Sequence, residues 1–400
     1  MAPIDTEILA VTGNEAAAEA MGQIDPDVVC AYPITPQTEV VQLYAQMVAD
    51  GKVGSEFVTV ESEHSAMSAV IGSAAGGART MTATSSQGYA LMWEVLYVAA
   101  SYRLPVVMTT VNRALSGPIN IHCDHSDTMG GRDTGWIQIY GENHQEAYDN
   151  CIQAVRIGEH ADVRLPVTHM YDGYVISGAI GPLQMLTKEQ VQSFIGPYHA
   201  INPMLDTEHP VTVGPFDGLH GWYFEHKVAQ NRAMDRALKV IQDVADEYAE
   251  LSGRQYGLLD PYRLEDAEIA IVVVGSTAGT TRMTVDKLRA RGVKAGMVRV
   301  RAFRPFPHAA YAEALQHVKV VGVMDRADSF GAQGGPVFLE VRSALYDCDP
   351  HPQILPFIYG LGGRDIFPDN IEQAFAALQK AAQSKKRSST ERRYLNLRKD

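Results

Sequence analysis

"VTVESEHSAMSAVIGSAAGGARTMTATSSQG", residues 58–88, places a small-residue segment between two short strand-like runs. Phe57 to Val60 and Thr80 to Thr84 read as strands, and Ser62 to Ala75, rich in Ala, Gly and Ser, reads as a helix that can lie close against its neighbours. The same alternation extends upstream, through Ile8 to Val11, Asn14 to Met21, Val28 to Ala31 and Glu39 to Ala49. Downstream come a helix over Leu91 to Ala100 and strands Val106 to Val111 and Val167 to Tyr171. Strands alternating with helices predict an α/β fold with a doubly wound parallel sheet and its ligands at the strand C-terminal ends.

This first domain is expected over 1–195. Residues 196–265 change character: turn-rich "IGPYHAINPM" and "VTVGPFDGLHGWYF" lead into a polar-faced helix from about His226 to Leu251, which reads as a connector packed on the first domain. A second α/β domain is expected over 266–383, where "EIAIVVVGSTAG", "VKAGMVRVR", "VKVVGVMDR" and "QILPFIYGLGG" carry the continuous apolar runs of a sheet buried on both faces. Residues 384–400 form a basic tail, with seven Lys or Arg against Glu391 and Asp400. It reads either as a solvated extension or as an arm for an acidic partner subunit.

With 34 Lys and Arg against 47 Asp and Glu, the chain is acidic (net charge −13), which argues against a nucleic-acid or anionic-membrane surface. The four cysteines, Cys30, Cys123, Cys151 and Cys348, include no C-x-x-C pair, so any iron–sulfur cluster must belong to a partner. Apolar stretches such as Ile269 to Val274 are too short to span a bilayer and no leader is evident, so a cytoplasmic location is expected.

Several strand ends carry chemistry. "CAYPITPQTE" (30–39) leaves a strand through a turn stiffened by Pro33 and Pro36, with Thr35 at its crest. Glu61 and Glu63 begin the small-residue helix, where they can serve as acids at a helix N-terminus or as a buried catalytic carboxylate. "TATSSQG" (82–88) ends a strand in Ser85, Ser86 and Gln87, groups that suit a polar ligand or a helix start. Arg113 follows another strand and precedes a loop with His122, Asp124, His125 and Asp127; it can bind a small carboxylate or pair with a loop Asp. No metal site is expected from this His/Asp group. The chain has no phosphate-binding glycine motif, and "FDGLHG" (216–221) lacks the asparagines needed to hold a magnesium-bound diphosphate.

Together, "TGNEAAAEA", "AYPITPQTE", "ESEHSAMSA", "TATSSQG", "NRALSGPIN" and "DHSDTMGGRDTGWIQIY" resemble the N-terminal domain of the 2-oxoacid:ferredoxin oxidoreductases, of the multisubunit pyruvate type. "GMVRVRAFRPFP" and "VVGVMDRADSFGAQGGPVFLEV" are similar to the transketolase C-terminal-like domain of the same enzymes. The resemblance implies a pyrimidine-side domain for thiamine diphosphate, with a beta subunit completing the site and holding Mg2+. It further implies gamma and delta ferredoxin-like subunits carrying 4Fe-4S clusters, ferredoxin as acceptor, and a dimer of heteromers. By the same resemblance Glu63 contacts N1′ of the aminopyrimidine, and Pro33, Ser86 and Gln87 line the cofactor. Thr35 then meets the substrate and Arg113 its carboxylate. Pyruvate and coenzyme A are the expected substrates, to give acetyl-CoA and CO2 or the reverse. Alternatives are the same chemistry on 2-oxoisovalerate or 2-oxoglutarate, a thiamine-dependent component that uses no ferredoxin, and a non-catalytic scaffold subunit.

Overall fold

The computed structural model describes residues 8–214, 216–384 and 391–398. Its strands are β1 Ile8–Thr12, β2 Val28–Ala31, β3 Glu56–Thr59, β4 Thr80–Thr84, β5 Val107–Asn112, β6 Ile137–Tyr140, β7 Val167–Asp172 and β8 Ile180–Gln184. These are followed by β9 Leu259–Tyr262, β10 Ile269–Val274, β11 Ala295–Val300, β12 Ala302–Arg304, β13 Val320–Asp325, β14 Gln353–Ile358 and β15 Arg393–Tyr394.

The first sheet runs β12-β6-β7-β5-β4-β2-β3, parallel except for β12. From β2 the chain steps outward to β3, then returns across β2 to β4. The strand order therefore reverses between β2 and β4, and the crevice at their C-terminal ends is where an α/β sheet receives a ligand. On one face, helix Glu63–Gly76 buries Ala66, Met67, Val70 and Ile71 with Cys30, Leu96 and Met108. On the other, the four alanines Ala16, Ala17, Ala18 and Ala20 let helix Gly13–Ile24 approach helix His144–Glu159 closely. Each buried Val, Leu, Ile or Met contributes roughly 1.5–3 kcal/mol, so the small residues gain less from burial than from the proximity they allow.

Helix Tyr223–Ser252 turns Ala233, Ala237, Val240, Ile241, Val244 and Tyr248 inward at helical spacing and stops at Gly253, whose φ of 70° is left-handed. The second sheet, β15-β14-β13-β10-β11-β9, is parallel apart from β9.

The structure differs from the sequence reading in four places. The first expected strand, β1, is not in the parallel sheet but pairs antiparallel with β8 in a separate ribbon. The helix expected over Leu91 to Ala100 is two helices, Ser86–Leu91 and Trp93–Ser101, meeting at Met92. β12, from the "RAFRPFP" run, crosses into the first sheet beside β6. It is carried there by the fully buried Arg301, whose guanidinium donates to Asn150 Oδ1 and Gln153 Oε1 and whose carbonyl accepts from Tyr140 N. Within the stretch read as connector, β9 is an edge strand of the second sheet.

Part of the basic tail, 385–390 and 399–400, lies outside the described residues. Its remainder adds β15 to the second sheet, with Arg392 on Asp328 at 3.1 Å and the Tyr394 hydroxyl on the same carboxylate. Among the described residues no helix is long and apolar enough to cross a membrane.

Candidate active site

Three chain segments meet at the crevice between β2 and β4, and a fourth closes it from the β5 side. After β2, the turn Tyr32 to Gln37 is pinned from below, where Asn14 Nδ2 donates to Pro36 O at 2.8 Å and Gln37 Oε1 accepts from Ile34 N at 3.2 Å. Pro33 and Thr35 stand exposed on it, and the Thr35 hydroxyl has no hydrogen-bond partner among the described residues.

After β3, Ser62 caps helix Glu63–Gly76, its hydroxyl accepting from Ser65 N. Glu63 is thereby the first helical residue; it is 7% exposed, and no hydrogen bond to its carboxylate is present among the described residues. Burying an ionisable group without a partner is costly, so such a carboxylate is positioned to take one from outside the chain. Its neighbour is Gly88. A Cβ there would lie 2.5 Å from Thr84 Oγ1 and 2.7 Å from Glu63 Oε1, so only glycine leaves the carboxylate its place. The adjacent hydroxyls of Thr84 and Ser85 are buried and also lack partners. Glu61, by contrast, is exposed at the helix start, where it accepts from Ser65 Oγ and is held below its ordinary pKa.

After β4, Ser86 adopts a φ of 45°, which turns its hydroxyl onto Ala114 O at 2.5 Å and Gln87 Oε1 at 2.7 Å. Gln87 in turn donates to Ser116. After β5, the buried Arg113 donates from Nε to Asn120 O at 3.2 Å and from Nη1 to Thr35 O at 2.9 Å. It thus links the β2 and β5 loops. The expected alternative, an ion pair with a loop Asp, is not what holds it: among the described residues no carboxylate pairs with Arg113 and its Nη2 makes no hydrogen bond.

Asp127 takes the pinning role through other atoms. Its oxygens accept from Arg113 N at 3.0 Å, Ser86 N at 3.1 Å, Asn112 Nδ2 at 2.9 Å and Thr128 N at 2.8 Å, so one side chain fixes the ends of β4 and β5. Complete burial pushes its pKa up to about 6, against the lowering effect of these donors.

The second domain braces the same loop. Gly362 N donates to Asp124 Oδ2 and Asn120 Nδ2 to Gly362 O, both at 2.9 Å, while Gly362 and Gly363 hold positive φ and leave no room for a Cβ against Asn120 and His122. Behind it, Asp172 at the end of β7 accepts from His125 Nε2 and Arg326 Nη1 at 2.8 Å and from Ser276 Oγ at 2.6 Å. Burial alone would raise the Asp172 carboxyl, but His125, Arg326 and Ser276 outweigh it and hold it well below the carboxylate range. Cys123, His125 and Asp172 offer ligand atoms within 4.8 Å of one another, yet the Arg326 guanidinium already occupies the cation position beside this carboxylate.

The crevice therefore brings together all six residues singled out from the sequence, Pro33, Thr35, Glu63, Ser86, Gln87 and Arg113. Sequence reasoning gave no individual role to Gly88 or Asp172, and took Asp127 only as one of the loop acids that could pair with Arg113. Position alone offered a signal for two of them, since Gly88 closes the "TATSSQG" motif and Asp172 ends an otherwise apolar strand.

The family model described as pyruvate flavodoxin/ferredoxin oxidoreductase, thiamine diphosphate-binding, matches residues 19–246, and that of pyruvate:ferredoxin oxidoreductase core domain II matches 267–371. The chain belongs to this family. A pyruvate synthase subunit PorA of Thermotoga maritima is 54% identical over 98% of both chains. A ketoisovalerate oxidoreductase subunit VorA of Pyrococcus horikoshii is 40% identical over 94% of this chain and 95% of its own length. Among solved structures, a 2-oxoglutarate:ferredoxin oxidoreductase from Magnetococcus marinus superposes with a TM-score of 0.70 at 21% identity, covering 94% of this chain and 66% of that chain. This last likeness concerns the fold. The oxidoreductase family assignment agrees with the doubly wound first domain and with a crevice in which the buried Glu63 carboxylate has no partner among the described residues.

Proposed function

We propose that this chain is the alpha subunit of a multisubunit pyruvate:ferredoxin oxidoreductase and supplies the pyrimidine side of its thiamine diphosphate site. The observation that carries the reading is the buried, unpartnered Glu63 carboxylate held open by Gly88 at the reversal of strand order. These residues fit an aminopyrimidine, whose ring nitrogen would give Glu63 its missing partner, and the unpartnered Thr84 and Ser85 hydroxyls lie beside it. When bound, thiamine diphosphate supplies the nucleophilic carbon and electron sink that break the bond between the keto carbon and the carboxylate of a 2-oxoacid. Glu63 shares and returns a proton at the ring nitrogen. Arg113 offers the substrate carboxylate Nη2 and the second N–H of Nη1, since Nε and one N–H of Nη1 are committed to Asn120 and Thr35. The free Thr35 hydroxyl, on the loop that Arg113 fastens, reaches toward the keto oxygen. Ser86 and Gln87 shape the wall after β4, and Pro33 keeps the entrance turn rigid.

Diphosphate and Mg2+ belong to a beta subunit in this reading. The 4Fe-4S clusters belong to gamma and delta subunits, because all four cysteines of this chain are free and scattered. Pyruvate is favoured over 2-oxoisovalerate because pyruvate synthase subunits reach 54% and 45% identity, although in Pyrococcus horikoshii the pyruvate and ketoisovalerate subunits are about equally similar, at 41% and 40%. The test is to purify the native complex and assay pyruvate, 2-oxoisovalerate and 2-oxoglutarate with coenzyme A and a low-potential acceptor. The expected result is highest kcat/KM for pyruvate; a preference for either other acid overturns the substrate assignment, and no coenzyme A-dependent oxidation of any of them overturns the reaction.

A further inference from the structure

A cavity of about 810 Å³ lies beneath connector residues 198–202 and 211–214, away from the crevice. It is floored by the turns that enter β5 (Ser101 to Pro105) and β7 (Ala161 to Arg164). These turns mark the N-terminal edge of the first sheet, one strand length, roughly 17–20 Å, from the crevice.

Its charge is unusual for an acidic chain. Arg103, Arg164 and Lys227 line it, and none forms an ion pair among the described residues, whereas Arg79 nearby is held by Glu159 through two bonds. Their hydrogen bonds go to neutral groups, and Arg164 alone feels a nearby carboxylate, Glu159. Arg103 donates to the carbonyls of Arg164, Val163 and Ala229, and Lys227 donates to Ser101 Oγ at 2.8 Å and Gln230 Oε1 at 3.3 Å. Arg164 donates from Nη2 to His199 O at 2.9 Å, while its buried Nε has no partner. Burial lowers the pKa of Lys227 and of Arg103, and Arg236 adds like-charge repulsion at Arg103. The single lining carboxylate, Asp217, sits 3.7 Å from His226.

Two further features mark the cavity. Arg103 and Arg164 stand at positive φ, 59° and 45°, in the turns that end helices Trp93–Ser101 and His144–Glu159, with Arg103 N bonded to Ala100 O and Arg164 N to His160 O, and these two turns set both cations on one floor. The wall also presents aromatic rings: Arg164 lies 5.9 Å from the Tyr198 ring and Lys227 5.5 Å from the Tyr223 ring, with Tyr102 beside them. A ligand that answers both features carries clustered negative charge and a flat ring. We propose that this cavity is a binding site for a nucleoside diphosphate, with its phosphates on Arg103, Arg164 and Lys227 and its base among the tyrosines. The bound molecule lies a strand length from the crevice and holds the connector against the first domain.

The test is calorimetric titration of the full chain with ADP, in parallel with adenosine and inorganic pyrophosphate, and with Arg164→Gln and Lys227→Gln chains whose unfolding midpoints match wild type. Hydrogen exchange of 198–214 is followed with and without ADP, and the titration is repeated on the assembled complex. The expected result is one saturable ADP site, weakened about tenfold or more by each substitution and by high salt, with adenosine and pyrophosphate each binding less tightly and exchange in 198–214 slowed. Absence of saturation by about 1 mM, equal binding of ADP and pyrophosphate, or indifference to both substitutions overturns the site. Loss of ADP binding in the assembled complex also overturns it, because the cavity then seats a companion chain.

Discussion

Gly88→Ala isolates the geometry of the crevice from its chemistry, since the added methyl carries no charge and the residue sits in helix Ser86–Leu91 with an unstrained backbone. Alanine there gains about 1 kcal/mol in helix propensity. Against this, its Cβ would stand 2.7 Å from Glu63 Oε1 and 2.5 Å from Thr84 Oγ1, where ordinary contact begins at 3.4 Å. Glu63 must therefore withdraw by roughly 0.7 Å (3.4 − 2.7), and overpacking of this kind costs about 1–3 kcal/mol. The two stability effects largely offset, so the unfolding midpoint should move little. Turnover should not be spared, because a misplacement approaching 1 Å at a reacting group can cost about 10²-fold. The assay is steady-state kinetics of the assembled complex carrying Gly88→Ala, beside its thermal unfolding. Loss of kcat by more than tenfold with an unfolding midpoint near wild type is expected. Wild-type kcat in a well-assembled variant would refute the reasoning that Gly88 exists to seat Glu63.

Arg113→Lys keeps charge but loses the planar fork, so kcat/KM for pyruvate should fall about ten- to a hundredfold with apparent affinity for coenzyme A little changed; unchanged pyruvate kinetics would leave Arg113 as a tie between two loops. Asp172→Asn strands the buried Arg326 guanidinium and should lower stability by about 3–5 kcal/mol in chemical denaturation, with much of the loss restored in Asp172→Asn/Arg326→Met; no loss in the single variant would show that the clamp is dispensable. Asp325, buried beneath the start of helix Pro336–Leu345, has its pKa pushed up by burial to about 7 from 3.8. The folded chain thus keeps a proton that the unfolded chain releases, and stability present below pH 3.8 is lost as pH rises toward about 7, by at most about 4 kcal/mol. Asp325→Asn should flatten that slope in denaturation curves at pH 5 and pH 8, and an unaltered slope would remove Asp325 as its source.

The sheet was legible in β2 and β10 as bounded apolar runs, as expected for strands buried on both faces, and in β4 and β5 as runs of Val, Met and β-branched Thr between helix-like segments. β12 was not legible. It is three residues long, and the fully buried Arg301 that precedes it reads in sequence as a surface charge; only Asn150 and Gln153, about 150 positions away, make its burial tolerable. The crevice shows the same division. Pro33, Thr35, Glu63, Ser86, Gln87 and Arg113 sit at strand exits, where α/β topology places ligand contacts, and their motifs resemble those of one family. Asp127 was visible only as a loop acid, because its role arises from backbone N–H groups of Ser86, Arg113 and Thr128, which carry no side-chain signature. The Asp172–Arg326 pair joins two domains across 154 positions, beyond any local pattern.

The central claim, that this chain supplies the carboxylate on which the cofactor's proton transfer depends, is tested most directly by turnover of the assembled complex carrying Glu63→Gln. The amide preserves the shape beside Gly88 and cannot share the proton, so assembly should be intact and kcat for pyruvate oxidation should fall about 10²–10⁴-fold. Near-normal turnover in that complex would contradict the account and return Glu63 to an acid at a helix start.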